Sequence, residues 1–204
     1  MMTRPPFDVQ PVTLEGRLVR LEPLDVERHL AGLAEVGLEP SLWLYVVDRP
    51  ATSDDLRRYL EGAEAERQAG RMLPFVTHER ATGRPVGMSR YMSIEPAHRR
   101  LEIGHTWVAP AWQRRGFNAE AKLLMLTHTF ESLGAHRVEF KTHARNEKAR
   151  AGLLGIGATF EGIFRKHMVM PDGTFRDSAW YAIVDEDWPA VRERLEALVA
   201  SHVQ

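Results

Sequence analysis

The sequence contains no cysteine, and this absence excludes several kinds of chemistry. A chain without thiols forms no disulfide, uses no thiolate nucleophile and holds no metal through sulfur. Long apolar runs are also missing, since a stretch such as residues 42–47 is far shorter than the ~20 residues that cross a bilayer. Residues 1–10 include no apolar segment typical of a secretory signal. We therefore expect a cytoplasmic protein without a membrane span.

An excess of charge of either sign is absent as well. The chain has 27 basic and 28 acidic residues, which gives a formal net charge of −1. Such a protein has no long-range attraction for the phosphates of nucleic acid or for an anionic membrane, so we expect it to bind neither. Any anion site must then be local and formed by a particular loop.

The chain is expected to form one domain over residues 1–204, with residues 1–14 as an N-terminal arm, because no repeat or linker divides it. Hydrophobic periodicity predicts an α+β fold with a mixed sheet, and residues 42–47 are predicted to form a short helix or a covering loop. Strands are predicted at residues 16–22, 73–78, 85–93, 100–108, 137–142, 159–169 and 177–184. Helices are predicted after Asp25, at about 53–69 behind a capping box at 52–55, at 119–133, from Asn146 to about 155, and from Asp187.

The strand at 100–108 runs into a loop from Gln113 to Ala119 and then directly into a long amphipathic helix. The first N–H groups of a helix are unpaired and its dipole is positive at that end, so this junction predicts an anion site suited to phosphate. Gly116 lets the backbone approach a bulky ligand, and Arg114 and Arg115 add positive charge. The alternative is an ordinary strand-to-helix turn with two solvated arginines.

Gln113, Arg114, Arg115 and Gly116 fit the Gln/Arg-x-x-Gly-x-Gly/Ala loop of the GNAT superfamily of N-acetyltransferases, which the sequence resembles here. Asn118 stands in place of the second glycine, as in the Gly-x-Asn variant of the branch that acetylates the N-termini of ribosomal proteins. The resemblance covers roughly residues 16–184 and includes further short motifs in the same order. These are residues 101–104, residues 137–140 with Asn146, Gly157 and Ala158, and residues 160–162.

The resemblance implies a mostly antiparallel central sheet flanked by helices. It also implies an enzyme that transfers an acetyl group from acetyl-coenzyme A directly to a primary amine, either a protein N-terminus or a small-molecule amine. In such enzymes the strand before the loop binds the pantetheine arm and the loop binds the phosphates. The coenzyme-binding residues implied here are Trp107, Val108, Gln113, Arg114, Arg115, Gly116, Phe117, Asn118, Ala119 and Asn146.

Acyl transfer requires a neutral amine, whereas a lysine or an α-amino group has a pKa of about 10.4 or about 8, so a base or a water relay must remove a proton. Glu102 is the candidate, because a carboxylate partly desolvated beside the loop would have a raised pKa. The alternative is a surface carboxylate paired with Arg99 or Arg100. Strict alternation predicts that His105 points to the face opposite Glu102, unless a bulge reverses it.

Many relatives carry a tyrosine or serine in the helix after Asn146 that protonates the leaving thiolate, but residues 147–151 contain neither. Tyr181 and Tyr91 are distant candidates, and water is the simpler one. This gap keeps a second hypothesis open, a non-catalytic acyl-coenzyme A-binding module. Nine histidines occur without metal-binding spacing, so we expect no metal, and the apolar face of the last helix leaves a homodimer open.

Overall fold

The structure, a computed structural model, describes residues 6–202, so residues 1–5 of the predicted arm lie outside the described residues. Within this range the chain forms an eight-stranded sheet flanked by helices. The strands are β1 (Leu14–Glu15), β2 (Val19–Pro23), β3 (Met72–Glu79), β4 (Pro85–Glu95), β5 (Arg100–Val108), β6 (Arg137–His143), β7 (Thr159–Val169) and β8 (Phe175–Val184). The α-helices are α1 (Val26–Gly37), α2 (Ser53–Gln68), α3 (Phe117–Thr127), α4 (Glu147–Ile156) and α5 (Trp188–Ala200).

The strands follow the order β1-β2-β3-β4-β5-β6-β8-β7 across the sheet. Within residues 6–202, β5 and β6 are the one parallel pair, and all other neighbours are antiparallel. This arrangement confirms the predicted α+β class with a mixed, mostly antiparallel central sheet. No helix of the described chain is long and apolar enough to cross a membrane.

Helices cover both faces of the sheet, and each face has its own apolar core. The α1–α2 face packs against those two helices through a cluster that includes Leu33, Leu56, Leu60, Met88 and Trp107. The α3–α5 face packs against α3, α4 and α5 through a larger cluster that includes Tyr91, Leu101, Met125, Val138 and Leu195. The apolar face predicted for the last helix therefore packs within its own chain, against α3 and α4.

Local sequence signals account for several helix ends. The side chain of Asp25 accepts the N–H of Arg28 at 3.0 Å and caps α1. Thr52 and Asp55 form the predicted capping box of α2, with each side chain accepting the backbone N–H of the other. Gly134, at φ 63°, follows the π-helical turn that extends α3, as predicted.

Only residues 19–22 of the predicted strand at 16–22 are strand, as part of β2; residues 16–18 form a turn, and β1 precedes them within the predicted arm. Glu120 of α3 accepts the N–H groups of residues 17–19 and so stabilises this turn. Phe7 of the predicted arm is 8% exposed and belongs to the core. Residues 42–47 belong to a loop that follows a short 3₁₀ turn at Pro40–Leu42.

Candidate active site

A gap opens in the sheet where β5 and β6 diverge. The two parallel strands pair from Arg100 opposite Arg137 to Glu102 opposite Glu139. Beyond these residues each strand continues, β5 to Val108 and β6 to His143, without pairing with the other. The facing edges of the two strands therefore present main-chain groups that have no partner strand and can bind an extended ligand.

A β-bulge in β5 places Glu102 and His105 on the same face of the sheet. Between positions 104 and 107, β5 has one residue more than the facing stretch of β4, and His105 has a φ of 46°. The expectation that His105 faces away from Glu102 is wrong, because the extra residue shifts the alternation of the strand. Both side chains lie on the α1–α2 face.

Glu102 is almost fully buried, with 1% of its surface exposed. One carboxylate oxygen accepts hydrogen bonds from Lys141 Nζ at 3.1 Å and from Ser93 Oγ at 3.4 Å. Burial raises the pKa of Glu102, and the positive charge of Lys141 offsets only part of this effect. Glu102 is therefore a desolvated carboxylate with increased proton affinity, and not the surface carboxylate paired with Arg99 or Arg100 that the sequence left as an alternative.

His105 is held by Tyr59 of α2, whose hydroxyl lies 3.2 Å from His105 Nδ1. The pKa of His105 is lowered to about 3, mainly by burial and also by the positive charges of Arg90, Lys141 and Arg176. An imidazole with this pKa is neutral near pH 7 and a weak acceptor of a full proton, so Glu102 is the better base of the two. Sequence analysis missed Tyr59 because its helical spacing indicates only a residue on the apolar side of α2.

The loop predicted to bind anions ends at the N-terminus of α3. Gly116 is the N-cap at φ 80°, and no side chain caps the first turn of the helix. Its N–H groups and the exposed Arg114 and Arg115 present positive potential toward the same region. A Cβ at Gly116 would lie 2.8 Å from Leu18 Cδ1 and 2.9 Å from His202 Cβ, so the backbone is tightly packed on its inner side. This geometry fits a phosphate or diphosphate.

Gln113 joins the loop to the gap in the sheet. Its Nε2 donates to the backbone oxygen of Val108 at 2.7 Å, and its Oε1 accepts a hydrogen bond from Lys148 of α4. The N–H of Ala109 donates to Val86 of the preceding hairpin, so by alternation the main-chain groups of Val108 point into the gap. Those of Trp107 point toward β4. Of the two predicted pantetheine contacts, Val108 is the one whose main chain faces the gap.

A strand that leads through a loop to a glycine at the N-terminus of a helix is the arrangement that the sequence resemblance implies. The family profile described as "Acetyltransferase (GNAT) domain" matches residues 18–159, well over half of the chain. The chain belongs to the GNAT family. It is therefore an acyl-coenzyme A-dependent acyltransferase, and this identification favours an enzyme over the non-catalytic binding module.

Solved structures and curated relatives agree with this assignment. A GCN5-related N-acetyltransferase from Brucella melitensis is 33% identical with a TM-score of 0.86, over 95% of this chain and 87% of that one. Mycobacterium smegmatis RimJ in complex with CoA-disulfide is 28% identical with a TM-score of 0.76, over 92% of this chain and 94% of that one. YoaA of Bacillus subtilis (strain 168), described as an uncharacterized N-acetyltransferase, is 28% identical over 148 residues, which are 65% of this chain and 82% of that protein.

Asn146, a predicted coenzyme contact, caps α4 in this GNAT enzyme. Its Oδ1 accepts the N–H of Ala149 at 3.1 Å, which leaves the amide nitrogen as the group that a coenzyme would meet. The basic residues that flank Asn146 do not form one surface. Lys148 donates to Gln113 of the loop that precedes α3, whereas Arg150 donates to the hydroxyl of Tyr181 at 3.0 Å. Lys148 is therefore the member of this stretch that reaches the candidate anion site.

Neither tyrosine considered as an acid in the GNAT reaction lies beside Glu102. Tyr91 is fully buried and donates to the backbone oxygen of Met125 at 2.7 Å. Tyr181 is also fully buried and accepts a hydrogen bond from Arg150. Both side chains belong to the core of the α3–α5 face, on the opposite side of the sheet from Glu102, because their strands alternate regularly at these positions.

Three aromatic residues that could have lined an acceptor pocket have different surroundings. Trp43 is in the core, where it packs 5.7 Å from Trp107 and donates to the backbone oxygen of Gly37. Trp112 donates to Glu79 at 3.1 Å, away from the base. Tyr45 alone of the three lies over the α1–α2 face beyond the gap, with its ring 5.4 Å from that of His143.

One cluster of possible metal ligands occurs among residues 6–202, although the sequence spacing predicts no metal. Glu22, His29 and His78 place ligand atoms within 4.8 Å of one another. His29 Nδ1 accepts the N–H of Asp25 at 3.0 Å, so in the neutral ring the proton lies on Nε2, the atom that would face an ion. Glu22 also forms ion pairs with Arg20 and Arg28, and these two arginines compete with a metal ion for its carboxylate. These contacts suit an ion-paired carboxylate better than a divalent metal.

Proposed function

We propose that this GNAT enzyme transfers the acetyl group of acetyl-coenzyme A directly to a primary amine and that Glu102 accepts the proton of the amine. The observation that carries the proposal is a buried carboxylate of raised pKa at the point where β5 and β6 separate. The coenzyme A moiety present in the structure of the RimJ relative supports the choice of donor.

The proposed donor site extends from the phosphate loop to the gap. The first-turn N–H groups of α3 and the two exposed arginines of the loop would hold the phosphates, because a helix N-terminus and guanidinium groups both favour anions. The N–H of Val108 would bind the pantetheine arm, and the side chain of Asn146 would contact the coenzyme from α4. The proposed coenzyme-binding set is Val108, Gln113, Arg114, Arg115, Gly116, Phe117, Asn118, Ala119 and Asn146. Trp107 is left out because its main chain faces β4 and its side chain lies in the core.

In the proposed reaction, Glu102 takes a proton from the ammonium form of the acceptor, directly or through water. The neutral nitrogen then forms a bond with the thioester carbonyl carbon, and the carbon–sulfur bond breaks with its electron pair on sulfur. A coenzyme thiol has a pKa of about 8.5, so water can protonate the thiolate without a dedicated acid. The second proton of the attacking nitrogen returns to solvent. The products are an N-acetylated amine and a free thiol, and no covalent enzyme intermediate is required.

The residues around Glu102 tune this role. Desolvation raises the proton affinity of Glu102, and the charge of Lys141 opposes part of this increase. Neutral His105 and the hydroxyl of Tyr59 form a polar wall that can hold a water molecule or the amine close to the carboxylate. An acceptor amine on the α1–α2 face would therefore meet a carboxylate with a higher proton affinity than an exposed one.

Thiol release from acetyl-coenzyme A, followed with a panel of primary amines, tests the proposal. We expect turnover with at least one amine and a loss of about 10²- to 10⁴-fold in kcat for Glu102→Gln, the usual range for a general base. Glu193→Gln, on the exposed side of α5, is the matched control and should leave kcat unchanged. Full activity of Glu102→Gln would remove this residue from the role of base, and failure to bind acetyl-coenzyme A in calorimetry would remove the donor.

The homodimer stays a prediction. The last helix, which first suggested it, is committed to its own core, but β7 is an edge strand with exposed apolar side chains at Phe160, Ile163 and Phe164. Light scattering on the purified protein measures the oligomeric state, and a monomer at all working concentrations would contradict the prediction.

A further inference from the structure

Three cations lie around His105 on the α1–α2 face, which also carries the proposed base. They are Arg90 of β4, Lys141 of β6 and Arg176 of β8, and the charge of each one acts on His105. Lys141 is paired with Glu102, so one cation of the three has a carboxylate partner. Within residues 6–202, neither Arg90 nor Arg176 forms an ion pair with a carboxylate.

Arg90 is 4% exposed, yet its Nε and Nη2 are buried without a hydrogen-bond partner. Its Nη1 reaches only the sulfur of Met72, at 3.7 Å, and its guanidinium carbon lies 4.2 Å from the ring centroid of Tyr59. A cation–π contact and a thioether compensate a buried guanidinium poorly compared with a carboxylate. The unused donors of Arg90 therefore suit an anion that enters the site.

Arg176 repeats this pattern on the other side of the gap. It is 6% exposed, its Nη1 donates to the backbone oxygen of Tyr45 at 3.1 Å, and its Nε is buried without a partner. Trp180 lies four residues further along β8 and therefore on the same face as Arg176. Its indole N–H is also buried without a hydrogen-bond partner. Two strands thus present buried N–H donors that the folded chain leaves without acceptors.

Other acidic groups near the site do not satisfy these arginines. Glu139 lies close to Glu102 but pairs with Arg100 and Arg137. Burial and the negative charge of Asp48 raise the pKa of Tyr59, but Asp48 is exposed in the loop between α1 and α2. The face beside Glu102 consequently holds more positive than negative charge in a desolvated setting, where a paired anion gains most.

We propose that the acceptor is a small amine that carries a carboxylate, an amino acid or a close analogue, and that Arg90 and Arg176 bind this carboxylate while Glu102 takes the proton from the amine. This inference rests on the proposed function, because it places the acceptor on the same face as the proposed base. A guanidinium fork matches a carboxylate with two parallel hydrogen bonds, so it would orient the molecule as well as attract it. An amine without a carboxylate would leave both forks unpaired.

The test compares three forms of each acceptor with acetyl-coenzyme A as donor: an L-amino acid, its primary amide and its decarboxylated amine. We expect kcat/KM to be about 10- to 100-fold higher for at least one amino acid than for its amide, which corresponds to one or two hydrogen bonds between charged groups. Arg90→Gln and Arg176→Gln should reduce this ratio toward unity, mainly through KM. Arg192→Gln, on the exposed side of α5, is the matched control.

A second measurement separates this inference from the proposed function. Calorimetry with N-acetyl-L-amino acids and their amides, in the presence of coenzyme A, reports carboxylate binding without turnover. Carboxylate-selective binding that Arg176→Gln abolishes supports the inference even if no amine is acetylated. Turnover of amides and decarboxylated amines at rates equal to those of the amino acids overturns it and leaves the proposed function intact. Unchanged acetyl-coenzyme A affinity and circular dichroism show that the variants are folded.

Discussion

The carboxylate of Glu120 is expected to hold the start of α3 against the first hairpin of the sheet. It is 3% exposed and accepts three backbone N–H groups, those of Arg17 at 2.8 Å, Leu18 at 2.6 Å and Val19 at 2.7 Å. A Cβ at Gly16 would lie 2.5 Å from the Glu120 carboxyl carbon, so only glycine permits this approach. Glu120→Gln changes one acceptor atom and almost no volume, which makes it a sharp test of these contacts.

The cost of Glu120→Gln follows from the hydrogen bonds that it alters. The amide keeps one oxygen, which can still accept from two N–H groups, whereas its NH₂ meets the third N–H donor to donor. One unpaired, partly buried N–H costs about 1 to 3 kcal/mol, and two bonds that lose a charged acceptor weaken by about 0.5 to 1 kcal/mol each. Because the N–H groups of Arg17 and Leu18 are only partly buried, we expect a total loss of about 2 to 4 kcal/mol.

Urea unfolding followed by circular dichroism measures this difference, and Glu193→Gln serves as the surface control. We expect a lower midpoint at an unchanged slope, since the surface exposed on unfolding stays the same. A Glu120→Gln variant within about 0.5 kcal/mol of the parent, the normal scatter of surface substitutions, would refute the argument that the carboxylate satisfies this turn.

Three further substitutions test the site. Gly116→Ala adds a Cβ at φ 80°, 2.8 Å from Leu18, so it should cost about 1 to 3 kcal/mol and weaken acetyl-coenzyme A binding in calorimetry. Gly62→Ala, in open space on α2, should be neutral or stabilising, and equal effects of the two would contradict the prediction. The folded-state pKa of His105, about 3, lies below its ordinary value of 6.5, so protonation favours the unfolded chain and stability is lost as pH falls below 6.5. Between about pH 8 and about pH 5 this histidine should lower the free energy of unfolding by about 2 kcal/mol. Denaturation of His105→Gln at several pH values should lack this loss, and the same pH dependence in both proteins would refute the assignment. Lys141→Met removes the charge that lowers the pKa of Glu102, so the acidic limb of the pH–rate profile should move to higher pH. An unmoved acidic limb would show that this limb does not report the titration of Glu102 beside Lys141.

The strand–loop–helix junction and the order of the elements could be predicted because their signals are local. A strand, a glycine and an amphipathic helix follow one another within residues 100–133, and capping residues such as Asp25 and Thr52 lie next to the helices that they cap. The start of α3 was predicted two residues late, at Ala119 instead of Phe117, since the N-cap is a glycine without a side-chain signal.

The composition of the α1–α2 face around Glu102 and His105 could not be predicted, because its residues come from elements far apart in the chain. Tyr59, Arg90 and Arg176 belong to α2, β4 and β8, and only tertiary packing brings them together around His105. The bulge at His105 was also hidden, since no glycine or proline at that residue marks it and the inserted residue becomes visible only through pairing with β4. A one-residue error in the alternation of β5 was enough to send His105 to the wrong face.

The bulge at His105 also determines how β5 tolerates changes of length. Upstream of it, Leu101 and Ile103 point into the α3–α5 core, and downstream Val108 does the same while Trp107 points into the other core. Deletion of Thr106 would remove the bulge and restore regular pairing with β4, so Trp107 would stay opposite Met88 and Val108 opposite Gly87. His105 would then alternate to the face opposite Glu102. A lineage can therefore lose this one residue without rebuilding either core, but the loss takes the imidazole away from Tyr59 and from the face that carries Glu102.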